Sequence, residues 1–436
     1  MITPETLKEV ILRQRKIFLD TKKAISREIL FGKKFQKIIS LREIVIITGI
    51  RRSGKSYLMR LIWKKIAKES KMPETNFLYF NFEDENLLRF DVSDFEVLLE
   101  CYFEILEPNR NKKIYLFFDE IQNIGGWEKF ANRLREDRRY KVFITSSNAT
   151  LLSSEIGTSL TGRNCPISLF PLSFREFCGF KLKRMLDNRD LYETETKIKF
   201  KKIFRDYLEN GGFPEIVIRN FRPLLQEYLK NIIYRDIVLR YKIKNETNLR
   251  EISAFIISNI GVSLSLEKIS RMTKVKNLMS VKNYLSHLKN SFLFYSVAKF
   301  SYSLKDQIYN PDKIYVIDSG MYNEIAFLSS PNFGRILENI VFLELKRRGK
   351  DVYYYREKNE CDFVIRENNS INTVIQVTKN LNLQNENREI MGLVEAMNKF
   401  ELKEGLILTE DQEEERKIKG KSIKLVPLWK WLIEEK

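Results

Sequence analysis

Gly49-Ile50-Arg51-Arg52-Ser53-Gly54-Lys55-Ser56 fills every fixed position of the pattern GxxxxGK[ST]. The apolar run Ile44-Val45-Ile46-Ile47-Thr48 leads into it, and Leu58, Leu61, Ile62 and Ile66 behind it fall at helical spacing. Strand, glycine loop and helix in that order form a phosphate cradle. The glycines let successive N–H groups turn inward, and the helix from Lys55 offers its positive end. The segment Gly49–Tyr57 is therefore the expected nucleotide-binding stretch: Gly49, Ile50, Arg51, Arg52, Ser53, Gly54, Lys55, Ser56 and Tyr57. Lys55 is expected at the β- and γ-phosphates and Ser56 at a magnesium ion.

Working outward, Ile114-Tyr115-Leu116-Phe117-Phe118 is an apolar run that ends in Asp119-Glu120. This is the pattern of a parallel strand buried on both faces whose end lies at the ligand edge of a sheet. Asp119 is expected to hold the magnesium through water, and Glu120 to polarise the attacking water. Between loop and acid pair lies a further strand, Phe77–Phe82, which suggests the additional-strand, catalytic-glutamate division of phosphate-loop ATPases. The strand Lys141–Thr145 runs into Ser146-Ser147-Asn148, whose small polar groups either sense the γ-phosphate, with Asn148 the candidate, or simply make a turn.

Further motifs follow: Thr161-Gly162-Arg163, "PLSFREF" at 171–177, "GGFP" at 211–214, "YRDIVLRY" at 234–241, "YVIDSGM" at 315–321, "LENIVFLEL" at 337–345 and "ECDFVI" at 360–365. Together with the phosphate loop and Asp119-Glu120, their order resembles the archaeal and bacterial AAA+/STAND-type ATPases that carry a C-terminal PD-(D/E)XK-like domain of unknown function. That resemblance implies ATP, rather than GTP, as the nucleotide, with Mg2+, and hydrolysis as the activity. It makes Arg163 the candidate arginine finger, acting on its own or a neighbour's ATP. Gly212-Phe213-Pro214 resembles the GxP element that ties the helical lid to nucleotide in STAND proteins; from the residues alone it is a rigid turn.

Composition bounds the remaining chemistry. With 436 residues, 43% hydrophobic and 31% charged, the chain has the make-up of about three globular domains. His287 is its sole histidine, which removes HExxH proteases, HNH nucleases and Ser-His-Asp hydrolases. Cys101, Cys165, Cys178 and Cys361 form no CxxC pair, so neither a zinc ribbon nor a disulfide framework is expected. No apolar stretch reaches the ~18 residues of a membrane span, and Met1-Ile2-Thr3-Pro4-Glu5 reads as a capped helix start and not as a signal peptide. A cytoplasmic location is the expectation. The net charge of +18, dense at Arg13, Arg15, Lys16, Lys22, Lys23, Lys33, Lys34 and Lys37, either serves polyanions, duplex DNA among them, or reflects a Lys-rich thermophile or AT-rich-genome composition.

The fold class expected is α/β: an N-terminal helix at 1–30, a parallel-sheet ATPase domain at 31–200, a helical lid at 201–245, a winged helix at 246–310 and a PD-(D/E)XK-like domain at 311–436. The winged-helix reading rests on helices near Leu249–Ile260, Ser265–Met272 and Leu278–Asn290 followed by a strand at Phe292–Val297. Lys276, Lys282, Asn283 and Lys289 are its candidate phosphate and base contacts. In the last domain the helix 336–348, strands 352–356, 361–366 and 373–378, helix 387–400 and strand 406–409 follow the nuclease order. Asp362 and Glu338 stand at acidic positions, but the Glu-x-Lys motif reads Gln376-Val377-Thr378, with Lys379 on the opposite face. Without that carboxylate and lysine, water activation is lost and a binding or assembly role is expected. Three function classes follow: a DNA-associated ATPase, an ATP-gated assembly protein acting on a protein partner or as a homo-oligomer, and an ATP-regulated nuclease.

Overall fold

Five apolar, β-branched and aromatic runs build the first sheet: β1 (Ile44–Thr48), β2 (Phe77–Asn81), β3 (Ile114–Asp119), β4 (Tyr140–Ser146) and β5 (Asn164–Ser168). All are parallel, in the order β2-β3-β4-β1-β5. The computed structural model describes residues 2–20, 25–149, 160, 162–184, 186–326 and 332–434. Thr161, Lys22 and Lys23 lie outside the described residues. The strand inserted in sequence between loop and acid pair, β2, is the sheet edge; the strand inserted in space between β1 and β3 is β4. The strand that suggested the division therefore lies at the sheet edge and does not separate β1 from β3.

Helices cover both faces of this sheet, as parallel strands buried on both sides require. α1 (Pro4–Leu19), capped by Thr3, puts Leu7, Val10 and Ile11 into one core with Ile46, Leu78, Leu116 and Ile144. α1 is therefore part of the sheet domain and not a separate N-terminal piece. α2 (Lys33–Ser40) is tied down by Lys141 of β4, whose Nζ donates to the carbonyls of Ile38, Leu41 and Glu43 at 3.0, 2.7 and 2.8 Å. α3 (Lys55–Ser70) packs Leu58, Ile62 and Trp63 on the face of Val45, Ile47, Phe117 and Phe143. α4 (Asp94–Leu106) and α5 (Trp127–Glu136) complete the other face.

The chain divides into two compact units, Met1–Leu169 and Phe170–Lys436. The division falls before the expected end of the ATPase domain at 200. The second unit opens with α6 (Phe174–Leu182), where Ser173 and Glu176 form a reciprocal capping box, so "PLSFREF" is a helix start. α7 (Thr194–Asn210), α8 (Pro214–Arg219) and α9 (Leu224–Asn231) follow, and residues 232–239 continue as π-helix.

"GGFP" and "YVIDSGM" prove to be one junction. The Asp318 carboxylate accepts from Gly212 N at 2.7 Å and Met321 N at 3.2 Å. A Cβ at Gly212 would stand 2.4 Å from Leu172 O, and one at Gly320 would stand 2.3 Å from Asn210 O. Only glycine permits these backbone approaches.

Next come α10 (Glu246–Ser258), β6 (Ser263–Leu264), α11 (Leu266–Thr273), α12 (Leu278–Asn290), β7 (Phe294–Val297), α13 (Leu304–Tyr309) and β8 (Asp312–Val316). The strands pair antiparallel in the order β6-β8-β7. The expected boundary at 310 therefore falls ahead of the central strand of this small sheet, which extends to Val316. After α14 (Ser319–Ile325) and α15 (Phe333–Arg347) come β9 (Asp351–Arg356), β10 (Glu360–Glu367), β11 (Ser370–Val377), α16 (Glu386–Lys399), β12 (Glu404–Thr409), β13 (Glu414–Ile418), β14 (Lys421–Pro427) and α17 (Leu428–Ile433). The six strands form a mixed sheet in the order β13-β14-β12-β11-β10-β9. Leu393, Ala396 and Met397 of α16 pack on Val364, Val374 and Ile407.

Candidate functional site

The glycine loop leaves β1 through Gly49, where φ is +155° and a Cβ would lie 2.1 Å from Leu169 O. Arg52 and Gly54 also have positive φ, which turns the chain back before α3 begins at Lys55. Lys55 is buried, and its Nζ donates to Gly49 O at 3.1 Å and Ile50 O at 3.4 Å. Thr48 Oγ1 and Ser53 Oγ are buried with no hydrogen-bond partner, and the buried Arg27 guanidinium donates to Ser53 O at 3.0 Å.

β3 brings Asp119 and Glu120 to the same edge, one strand away across β4. Tyr79 of β2 donates its hydroxyl to Asp119 Oδ2 at 2.7 Å, and Thr145 of β4 donates to Oδ1. Thr145 Oγ1 in turn accepts from Glu120 N at 2.9 Å. Glu120, at φ +53°, places Oε1 3.4 Å from Lys55 Nζ. Its Oε2 accepts from Ser147 N and Oγ at 3.3 and 3.2 Å, and from Gln122.

The two acids differ in electrostatics. Burial and the neighbouring Glu120 charge push the Asp119 carboxyl above its usual range. Burial also disfavours the charge on Glu120, but Lys55 and Arg51 outweigh it and hold that carboxyl below its usual range. Adjacent carboxyls whose environments drive them apart are suited to different tasks. Ser56, at the start of α3, helps favour the Asp119 charge, so a hydroxyl and a carboxylate, oxygen donors of the kind a hard divalent cation takes, belong to the same site.

The phosphate-loop residues, Asp119 and Glu120 thus meet at one edge of the sheet. Asn148 lies buried in the turn after β4, its N–H donating to Ser146 Oγ at 3.0 Å, and it is the preceding residue, Ser147, that reaches Glu120. Arg163 is elsewhere. It stands just before β5, where Ile44 N donates to its carbonyl at 3.1 Å, and its guanidinium donates to Asn132 Oδ1 at 3.0 Å. β1 and β5 pair from Ile44–Asn164 to Thr48–Ser168. At ~3.3 Å per residue, Arg163 is roughly 16 Å along the strands from the loop, beyond the reach of its own chain's phosphate site. Sequence reading missed Tyr79, Thr145, Arg27 and Ser147 as site partners. Only the small polar run 146–148 signalled any of them.

In the second unit, α12 buries Val281, Tyr284 and Leu288 and exposes Lys282, Asn283 and Lys289; Lys276, just before it, is also exposed. Lys289 Nζ bonds Ser296 Oγ on β7 at 2.9 Å. The expected nuclease positions line a cavity of about 560 Å³. Gln376 accepts from Asp362 N at 3.1 Å and donates to Glu389 Oε2 at 2.6 Å, so α16 supplies a carboxylate behind the amide. Lys379 lies outside this cavity, 4.0 Å from Glu410.

Residues 41–178 match an AAA domain, 201–332 a domain of unknown function (DUF8612) and 333–431 a second domain of unknown function (DUF4143). The uncharacterized protein MJ1544 of Methanocaldococcus jannaschii is 37% identical over 408 residues, 89% of this chain and 88% of that one. An uncharacterized protein of Haemophilus influenzae is 32% identical over 368 residues, 80% of this chain and 86% of its own. Among solved structures, Cdc6p from Pyrobaculum aerophilum covers 75% of this chain and 98% of its own at 10% identity and TM-score 0.27. The Aeropyrum pernix ORC1 protein in complex with DNA covers 73% and 91% at 13% identity and TM-score 0.28. Scores this low carry no argument about the present chain.

Proposed function

Because this chain, with its AAA domain at 41–178, belongs to the family of its Methanocaldococcus jannaschii and Haemophilus influenzae relatives, we propose that it is a Mg2+-dependent ATPase of the AAA+/STAND type. In this reading its nucleotide state governs a winged helix and a nuclease-like module in the second unit. The observation that carries it is the juxtaposition of Lys55, Asp119 and Glu120 at one sheet edge, with Lys55 Nζ 3.4 Å from Glu120 Oε1. The loop N–H groups and Lys55 would hold the phosphates, and Ser56 and Asp119 the metal. Unpartnered hydroxyls at Thr48 and Ser53 fit an oxygen-rich guest there. Bound Mg2+ supplies charge neutralisation at the phosphates. Glu120, kept ionised by Lys55 and Arg51, orients and accepts a proton from the attacking water, while Ser147 and Gln122 fix its carboxylate.

DNA association is supported by the +18 charge and by the exposed Lys276, Lys282, Asn283 and Lys289 on a three-helix, three-strand module. A second reading, ATP-gated assembly without DNA, is favoured by the position of Arg163, which can complete only another chain's site. The deciding experiment is ATP turnover at several protein concentrations and low salt, with and without duplex DNA, using Lys55→Ala as the blank. Stimulation by DNA selects the first reading. Turnover that rises with protein concentration and ignores DNA selects the second, and no turnover above the blank in any condition removes both as ATPases.

A further inference from the structure

Lys313, on β8, is 1% exposed and bonds three acids, Glu338, Glu360 and Asp362, that line the cavity, without lining it itself. Its Nζ stands 3.0 Å from Glu338 Oε1, 2.7 Å from Glu360 Oε1 and 3.1 Å from Asp362 Oδ1. α15 supplies Glu338, and β10 supplies Glu360 and Asp362, which share a face by the two-residue period of a strand. Tyr315, two residues on along β8, donates its hydroxyl to the same Glu338 oxygen at 2.6 Å. The three carboxylate oxygens surround one point at hydrogen-bonding and not metal-ligand distance, and among the described residues no group of acids is set to hold a metal ion. Here an ammonium group stands at that point.

Burial opposes the charge on Lys313, but Glu338, Tyr315, Asp362 and Glu360 outweigh it and hold its pKa well above the ordinary lysine value. Burial, and then the Glu338 charge, push Asp362 up to about 7 against the pull of Lys313. One ammonium thus offsets only part of the charge of three acids, and the excess falls on Asp362. Removing one partner of such a buried cluster would leave uncompensated charge.

We propose that Lys313 is the resident cation of this pocket: its ammonium takes the place of a divalent ion, holds Glu338, Glu360 and Asp362 together, and closes the pocket to metal. An ammonium carries one charge and offers no open coordination position, so it cannot lower the pKa of a bound water as a metal does. The pocket keeps its shape and its rim, which includes Arg335, Arg356, Lys358 and Arg388, without metal-dependent hydrolysis. This assignment stands independently of the nucleotide site.

The test is a Mn2+ titration of the full-length protein without nucleotide, in a Lys55→Ala background that silences the phosphate loop, with free Mn2+ read by electron paramagnetic resonance. With Lys313 in place, no Mn2+ is taken up at this pocket. Lys313→Met should take up one Mn2+ per chain at least about tenfold more tightly, and adding Asp362→Asn should abolish the gain. Where Lys313→Met is poorly folded without metal, Mn2+ should raise its melting temperature and leave that of Lys313→Met/Asp362→Asn unchanged. Stoichiometric Mn2+ binding by the Lys313 protein that disappears with Asp362→Asn overturns the proposal. So does a Lys313→Met protein that neither binds Mn2+ nor is stabilised by it.

Discussion

At the scale of single residues, the site turns on how one carboxylate is held. Glu120 is gripped by Lys55, Ser147 and Gln122, while Asp119 is gripped by Tyr79 and Thr145. Glu120→Gln keeps the shape and the hydrogen-bonding capacity but loses the proton acceptor. It should retain ATP binding while kcat falls by about 10²-fold or more, as read by nucleotide filter binding beside steady-state turnover. Unreduced turnover would remove Glu120 as the water-activating group. The sequence made Lys55, Ser56, Asp119 and Glu120 readable because each sits at a fixed offset from a strand end. Thr145 and Tyr79 were not readable as their partners, since strand order, and not chain order, sets them beside Asp119. Lys313 and Glu389 escaped for a related reason: each meets its partners across elements distant in the chain.

Elements show where local pattern was enough and where it was not. β1, β3 and β4 were legible as uninterrupted apolar runs, and α12 by its helical spacing. β13 was missed because Glu-Glu-Arg-Lys-Ile is an exposed edge strand without an apolar period, and β6 because it is two residues long. The Gly212–Asp318 junction tests packing at this scale. Asp318 is buried, and burial first of all raises its pKa to about 6 against three backbone donors. Its folded value lies above the unfolded one of 3.8, so the folded state binds this proton more readily. The resulting stabilisation is complete below pH 3.8 and is lost as pH rises through about 6. Urea midpoints should therefore show wild type losing up to about 3 kcal/mol more than Asp318→Asn between pH 4 and pH 8. Superimposable pH profiles would dismiss Asp318 as the source. On α12, glutamate at Lys276, Lys282 and Lys289 should weaken DNA binding and reduce the slope of log affinity against log salt by roughly 3. Unchanged binding would take this helix out of the interface.

For the whole molecule, the α/β class and the P-loop sheet were legible from motif order, while α1 joins the core of the first sheet and β8 pairs with β6 and β7 of the module before it. Boundaries are set by which cores close, and that depends on partners the chain has yet to reach. The placement of Arg163 belongs to this scale. Neither Arg163→Ala, which keeps an intact phosphate site, nor Lys55→Ala, which keeps the arginine, should turn over ATP alone. Mixed together they should regain turnover, because an arginine on the transition state is worth ~10³ to 10⁵ in rate. A mixture no more active than its components would deny Arg163 that role. The parallel pairing of β1 and β5 has one more consequence. Loop and arginine occupy opposite ends of the same strands, so a copy that serves another must bring the far end of its own strands to the other's phosphate edge. A row of copies that pass the arginine in one direction ends in one idle site, whereas a closed arrangement, a reciprocal pair or a ring, serves every copy.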